Sequence, residues 1–294
     1  MKPVPEFVYH TPQDLAEALQ LISEYKHSLP IAGGTDLIIE LRNGSRKTGH
    51  LISLSQVKDL NYIKEEGGHI HIGAATKHTQ IAASKLIKNR ASVLSEAALQ
   101  VGSNQIRNLG TVGGNLCNAS PGADTATPLL VLGAQAVISS KEGTRTVPLT
   151  EFFTGPKRNC LKHGELLTEI SFTSPPEWSG GGFQKLGRRQ GCTISLINAA
   201  AYLEVEGGVC KEARVAVGAC APTPVRIPAV ESQLKGERLD DDLIENVTRA
   251  CYVLVEPSQR EHSRASEEYR REMSCILMKR ALMGALDNAR RNMK

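Results

Sequence analysis

The sequence is poor in aromatic residues and lacks any cysteine pattern that would hold a metal or a disulfide framework. Phenylalanine, tyrosine and tryptophan together make up 4% of the 294 residues, and there is one tryptophan. The seven cysteines are scattered, and none forms a Cys-x-x-Cys pair. A zinc site and a disulfide-stabilised secreted fold are therefore not predicted; no metal site is expected on this chain. Reduced thiols in a cytoplasmic protein are the simplest interpretation.

Long hydrophobic runs and basic blocks are also missing. No segment reaches the ~20 apolar residues that a membrane-spanning helix requires. The N-terminal stretch MKPVPEFVYHTPQDLAEAL has no apolar segment typical of a secretory signal. The net charge is only +4, and no basic block is interleaved with aromatic residues. These absences argue against a membrane span, a secretory signal and a nucleic-acid-binding surface.

Glycine is present in an unusual arrangement. No Gly-x-Gly-x-x-Gly follows a predicted strand, and no Gly-x-x-x-x-Gly-Lys-[Ser/Thr] occurs, so neither a Rossmann site nor a P-loop is predicted. Two Gly-Gly turns occur instead, in IAGGTDLIIE at 31–40 and GTVGGNLCNASPGAD at 110–124. Glycine lets a backbone approach a ligand closely, and successive N–H groups form a nest for an anion. Either turn alone is equally well explained as a tight turn, but the pair favours two loops on one phosphate-bearing cofactor.

Periodicity in the rest of the chain predicts a mixture of helices and strands. TPQDLAEALQLISEY predicts a first helix with Thr11 as its N-cap. HIHIGAAT and ELLTEISF are typical of strands, and INAAAYLEVEGGVCKEARVAVG predicts an antiparallel pair that turns at Gly207 and Gly208. Prolines and glycines cluster at residues 173–182, which predicts a domain boundary there. Helical patterns dominate the C-terminal region.

At the two glycine loops the chain resembles the FAD-binding (medium) subunit of the molybdenum hydroxylases. That family includes xanthine dehydrogenase, carbon monoxide dehydrogenase and nicotinate dehydrogenase. AGGTDL at 32–37 and IRNLGTVGGNLCNASPGAD at 106–124 resemble its two flavin motifs. Further similar segments follow in family order, nearly to the end of the chain: GAAT at 73–76, FQKLGRR at 183–189, VGACAPTPVR at 217–226 and SEEYRREM near the C-terminus.

The resemblance implies an α+β fold with two domains. Residues 1–173 would form a two-lobed, PCMH-type FAD-binding domain, with lobes at about 1–56 and 57–173. Residues 174–294 would form a C-terminal flavoprotein domain of a small antiparallel sheet plus a helical bundle. The boundary agrees with the proline and glycine cluster noted above.

The resemblance also implies which residues bind FAD. One side of the pyrophosphate would be held by the first loop, with two neighbours beside it: Ala32, Gly33, Gly34 and Thr35, then Asp36 and Leu37. The other side and the ribityl chain would be held by Thr111, Gly114 and Asn115. Asp124 would bind a ribityl hydroxyl, and Lys185 would lie near the isoalloxazine edge. The ring or the adenine would be lined by Ile31, Val101, Cys117 and Leu167. No side chain of this chain is expected to act as a catalytic acid or base.

The function implied is electron transfer within a multi-subunit molybdenum hydroxylase, and the scattered cysteines cannot ligate [2Fe–2S] clusters. A small partner would carry those clusters and a large partner the molybdopterin, where a purine, N-heterocycle, aldehyde or CO is oxidised. Electrons would pass to FAD on this chain, then to NAD or another acceptor, and the resemblance implies a dimer of heterotrimers. A self-contained two-lobe FAD oxidoreductase is one alternative, and a non-catalytic nucleotide-binding scaffold is another.

Overall fold

Three sheets and one short two-stranded ribbon organise the chain in the computed structural model, which describes residues 3–189, 191–256 and 265–292. The strands are β1 (Val8–His10), β2 (Ser28–Ile31), β3 (His50–Ser53), β4 (Ile63–Glu66), β5 (His69–Gly73), β6 (Gln135–Ser140), β7 (Gly143–Pro148), β8 (Phe153–Gly155), β9 (Arg158–Asn159), β10 (Leu166–Thr173), β11 (Ser179–Leu186), β12 (Ile197–Glu206), β13 (Val209–Gly218) and β14 (Val225–Arg226). The α-helices are α1 (Leu15–Glu24), α2 (Leu37–Asn43), α3 (His78–Ala83), α4 (Lys85–Arg90), α5 (Ser92–Leu99), α6 (Asn104–Leu109), α7 (Val112–Cys117), α8 (Ala126–Val131), α9 (Leu149–Phe152), α10 (Pro228–Leu234), α11 (Asp241–Ala250) and α12 (Glu267–Asn292).

The first lobe is a small parallel sheet in the order β1-β3-β2. Helix α1 packs on it through Ala18, Leu19 and Ile22, the apolar stripe that the sequence pattern predicts. The predicted N-cap was wrong, because the helix starts at Leu15. Asp14 is the cap, and its carboxylate accepts a hydrogen bond of 2.8 Å from the N–H of Glu17.

The second lobe is built on an antiparallel sheet in the order β4-β5-β10-β6-β7. Alternate residues of the central strands, such as Ile70, Ile72, Ile170 and Phe172, are fully buried against the helices of this lobe. This period of two is the pattern by which β5 and β10 were predicted from the sequence. Helices α3 to α8 lie between β5 and β6 along the chain and carry the second glycine loop toward the first lobe.

The C-terminal region is an antiparallel sheet in the order β11-β12-β13-β14, packed against helices α10 to α12. The predicted turn at Gly207 and Gly208 joins β12 and β13, and both residues have positive φ, 60° and 85°. Such angles suit glycine, since other residues lack easy access to them. Among the residues described, no helix is both long and apolar enough to cross a membrane.

Strand β11 explains the glycine cluster at the predicted boundary. A Cβ on Gly180 would lie 2.1 Å from the carbonyl oxygen of Ala285, and one on Gly182 would lie 2.2 Å from that of Ala281. On the opposite face, a Cβ on Gly181 would lie 2.7 Å from the Cβ of Val93 in α5. The glycines therefore belong to a strand clamped between α12 and the second lobe, and they do not form a flexible linker.

Candidate dinucleotide-binding site

A cavity of about 400 Å³ lies where the two glycine loops meet, between the first and second lobes. The sequence-predicted residues that line it are Ile31, Ala32, Gly33, Gly34, Thr35, Asp36, Leu37, Val101, Thr111, Gly114, Asn115, Cys117 and Leu167. They come from β2, α2, α7, β10 and the connections beside them, so distant segments of the sequence converge on one cavity. Asp124 and Lys185 are not among the lining residues.

The two glycine loops touch each other directly. A Cβ added to Gly33 would lie 2.1 Å from the carbonyl oxygen of Leu109 and 2.9 Å from the Cα of Gly110. Real Cβ atoms do not make such contacts, so any side chain at this position would push the loops apart. Glycine at position 33 is therefore required by the close approach of the second loop.

The first loop presents a row of unused backbone donors. The N–H groups of residues 33–37 donate no hydrogen bond to any acceptor in the described part of the chain. Gly34 has a φ of +66°, which turns the chain sharply before α2 begins at Leu37. Residues 33–37 are half-buried, with Asp36 exposed, and unpaired N–H groups are usual at the start of a helix, so these donors are open to a ligand in the cavity as well as to water. An anion such as pyrophosphate fits such a nest.

The second loop is different, because its donors are already used inside the protein. The N–H of Val112 donates to Thr76 O (3.0 Å), and that of Gly113 donates to Ala74 O (2.9 Å). The hydroxyl of Thr111 caps α7 by accepting from the N–H of Gly114 at 3.1 Å. This loop therefore presents mainly side-chain groups, and not free N–H groups, to the cavity.

Asn115 supplies part of that chemistry. Its Oδ1 accepts a hydrogen bond of 2.7 Å from the hydroxyl of Thr125. This contact orients the side-chain amide and leaves its NH₂ group without an acceptor in the described residues. An NH₂ group held in this way can donate to an oxygen of a ligand in the cavity.

Asp124 and Lys185 form a buried ion pair behind the second loop. Lys185 Nζ lies 2.6 Å from Asp124 Oδ2, and the two side chains are only 5% and 9% exposed. The other carboxylate oxygen accepts from Ser195 Oγ (2.6 Å) and from Asn198 Nδ2 (3.2 Å). Lys185 Nζ also donates to Gln100 O at 2.9 Å. Both charges are thus satisfied by protein groups, and the pair ties the second glycine segment to β11 and β12.

The remaining walls are largely apolar. Ile31, Val101 and Leu167 are buried residues that line the cavity. Burial raises the pKa of the Cys117 thiol to about 12, with a smaller contribution from the neighbouring Cys160. Cys117 is therefore a protonated packing residue at neutral pH, as the absence of a partnering Cys-x-x-Cys motif predicts.

Sequence reasoning missed several polar residues of the cavity wall. Arg46 Nε and Lys157 Nζ each lie 3.0 Å from the carboxylate of Glu40, a lining residue on α2. His78 lines the cavity from the start of α3. The position of His78, two residues after the GAAT segment, was a usable signal. The Glu40 cluster brings together residues 117 positions apart, and no local pattern indicates it.

An anion-binding loop and apolar walls between two lobes define a class of protein that holds an extended, phosphate-bearing dinucleotide. A family model described as the FAD binding domain in molybdopterin dehydrogenase matches residues 5–175. A second, described as the CO dehydrogenase flavoprotein C-terminal domain, matches residues 182–285. The chain belongs to the FAD-binding subunits of the molybdenum hydroxylase family and is an oxidoreductase subunit.

Individual relatives match along nearly the whole chain. The nicotinate dehydrogenase FAD-subunit of Eubacterium barkeri is 35% identical over 288 residues, which cover 96% of this chain and 97% of the relative. The carbon monoxide dehydrogenase medium chain of Afipia carboxidovorans is 30% identical over 285 residues, with coverage of 97% and 98%. A solved structure of carbon monoxide dehydrogenase from Hydrogenophaga pseudoflava is similar with a TM-score of 0.93 at 28% identity, covering 97% of this chain and 99% of that chain.

Proposed function

We propose that the chain passes electrons from the [2Fe–2S] clusters of a small partner subunit, through FAD, to NAD or another acceptor. The substrate would be oxidised on a large molybdopterin-binding subunit. The observation that carries this proposal is a cavity lined by residues 33–37, whose N–H groups form no hydrogen bond within the described residues, in a chain of this family. Relatives named for nicotinate and for carbon monoxide share the fold, so the reducing substrate is set outside this chain.

Within that function, we propose a division of labour among the cavity residues. Bound FAD supplies the redox chemistry, and the protein binds, orients and shields it. The N–H groups of Gly33 to Leu37 hold the pyrophosphate, while Thr111 and Asn115 orient it and the ribityl chain from the other side. The apolar residues Ile31, Val101 and Leu167 exclude water from the ring or the adenine.

The Asp124–Lys185 pair supports this site in our proposal from behind the cavity wall. Lys185 holds the carbonyl of Gln100, whose neighbour Val101 lines the cavity. The pair would thereby fix the wall on which the cofactor lies. A direct contact of Asp124 with a ribityl hydroxyl, as the family resemblance implies, requires its carboxylate to become accessible from the cavity, which it does not line.

We propose the domain division 1–173 and 174–294, and assembly with the large and small subunits as a dimer of heterotrimers. Strand β10 ends at Thr173 and β11 begins at Ser179, which supports the placing of the boundary. The seven cysteines are free thiols in the structure, which supports function in the cytoplasm.

The first test is a visible spectrum of the purified chain, with mass spectrometry of the cofactor that heat releases. Flavin absorbance with released FAD is expected, and a chain that stays colourless when FAD is added would refute the proposal. Co-purification with partners that contain iron and molybdenum would support the electron-transfer role. Substrate turnover by this chain alone would favour the self-contained flavoenzyme instead.

A further inference from the structure

His78 is fixed against the second glycine loop by the backbone. Its N–H donates to Gly110 O at 3.1 Å, and the preceding residues Ala74 and Thr76 accept from the loop as described above. The ring lies beside Gly110, since a Cβ at that position would be 3.3 Å from His78 Cδ2. Gly110 in turn contacts Gly33 of the first loop. His78 therefore lies next to the junction of the two loops, on the cavity wall.

The imidazole has no hydrogen-bond partner in the described residues, although it is only 2% exposed. Nδ1 is completely buried and unpaired, so it is closed to the cavity as well, and Nε2 is the ring nitrogen that remains for a ligand. Burial, and to a lesser degree the charge of Arg107, lowers the pKa of His78 to about 4. The ring is thus neutral at physiological pH, with one nitrogen able to donate and the other able to accept. A second histidine of the cavity wall, His163, already has a partner, since its Nε2 lies 3.2 Å from Ser23 O.

A buried polar group without a partner destabilises a protein, so its presence beside a cavity calls for an explanation. We propose that His78 is a further binding residue of this cavity, whose imidazole hydrogen-bonds to a phosphate or hydroxyl oxygen of the bound dinucleotide where the two glycine loops meet. The inference rests on the proposed FAD site and adds a residue that neither flavin motif contains. The bound oxygen would pair with Nε2, since Nδ1 is enclosed by the protein.

Two substitutions in the full-length, FAD-free chain test this role. His78→Leu has a similar volume and removes the hydrogen bond, and His78→Gln restores a polar group. We expect the leucine variant to bind FAD about ten-fold more weakly by isothermal titration calorimetry, and the glutamine variant to recover most of that loss. Thermal unfolding of the FAD-free leucine variant at pH 7 should occur no lower than in the wild type, because no existing hydrogen bond is removed. His69→Leu is the matched control, because His69 is the exposed first residue of β5, and it should leave the FAD affinity unchanged.

Two results would overturn the role of His78. One is an unaltered FAD affinity in His78→Leu; the other is a destabilised leucine variant whose affinity glutamine fails to rescue, which would indicate a structural role. If the leucine variant does not fold, the imidazole ¹⁵N resonances of the wild type test the contact instead. The His78 signals are assigned as those missing from the glutamine variant. A shift of the His78 signals on FAD addition supports the contact, and unchanged signals refute it. A wild-type chain that binds no FAD would refute the proposed function itself, before any variant is compared.

Discussion

The two glycine loops look alike in sequence and differ in what they do with their backbone. Each has adjacent glycines and a threonine within two positions of them, and both line the same cavity. In the first loop, the N–H groups of residues 33–37 have no acceptor in the described chain. In the second, the N–H groups of residues 112–115 are all hydrogen-bonded within it.

The difference shows that a Gly-Gly motif can serve binding or packing, and that the sequence around it does not say which. Gly34 provides a positive φ that exposes donors, whereas Gly113 makes room for the backbone of Ala74, whose oxygen would lie 2.7 Å from a Cβ there. In our proposal the first loop is the surface that binds the ligand. The second loop is a support against which the first loop rests.

The largest effect is expected from breaking the ion pair behind the second loop. Lys185→Met leaves the Asp124 carboxylate buried without its cation, which should lower the free energy of unfolding by about 3 kcal/mol. Urea unfolding of the FAD-free chain measures this. Lys141→Met, at the exposed β6–β7 turn, should change little. A loss below about 1 kcal/mol would mean that Ser195 and Asn198 suffice to stabilise the carboxylate.

The contact between the loops can be broken from the first loop by Gly33→Ala. The added methyl group cannot fit against Leu109 O, so the loops must separate and the N–H groups of residues 33–37 lose their arrangement. FAD affinity should fall about 100-fold by calorimetry, consistent with the ~2–3 kcal/mol cost of overpacking. Gly49→Ala is the control, because nothing lies within 4 Å of its Cβ position. Equal affinities for the two variants would show that the loop contact is not needed for binding.

The free energy of unfolding should also depend on pH through His78, which packs against the second loop. The pKa of His78 is about 4 in the folded chain and near 6.5 when unfolded, so the unfolded state takes up the proton first as the pH falls. The stability present above pH 6.5 is therefore lost progressively toward pH 4. From pH 7 to pH 5 the free energy of unfolding of the FAD-free chain should fall by about 2 kcal/mol through this residue.

Comparison of the wild type with His78→Leu isolates that contribution, because the other titrating groups are common to both. Arg107 is the charged group that acts on His78, and its charge does not change in this range. Parallel pH profiles for the two proteins would show that His78 is not buried in its neutral form.

The smallest effect is expected at the cap of the second loop. Thr111→Ala removes the acceptor for the N–H of Gly114 and should lower the free energy of unfolding by about 1 kcal/mol. Thr111→Ser keeps the hydroxyl and should retain most of the stability. If Thr111→Ala loses FAD affinity without losing stability and Thr111→Ser keeps both, the hydroxyl serves the ligand more than the helix.

Local patterns predicted the elements of the fold well. The alternation in β5 and β10, the stripe on α1 and the turn at Gly207 and Gly208 all formed as expected, since each depends on neighbouring residues alone. The N-cap of α1 was placed wrongly at Thr11, because Thr11 and Asp14 are both good caps and spacing does not choose between them. That the glycines at the predicted boundary belong to strand β11 could not be predicted, because their packing partners lie far along the chain.

For the site, the residues that converge on the cavity followed from motifs, and their hydrogen-bonding did not. Whether an N–H of Gly33 or Gly114 is free depends on what the fold brings beside it. The same limit applies to Lys185, whose charge meets Asp124 across 61 residues of sequence. The lack of a partner for His78 can be recognised only from the folded surroundings of its ring.

The triple glycine of β11 has a consequence for how the protein tolerates truncation and mutation. Helix α12, 26 residues long, lies backbone against backbone on Gly180 and Gly182, while Gly181 meets α5 on the other face. The same strand carries Lys185 to Asp124 a few residues further on. The C-terminal helix therefore holds β11 in place, and β11 carries the lysine that stabilises the wall of the cavity. A nonsense mutation that removes only this last helix would displace the strand and thereby weaken flavin retention in a cavity that the helix does not line.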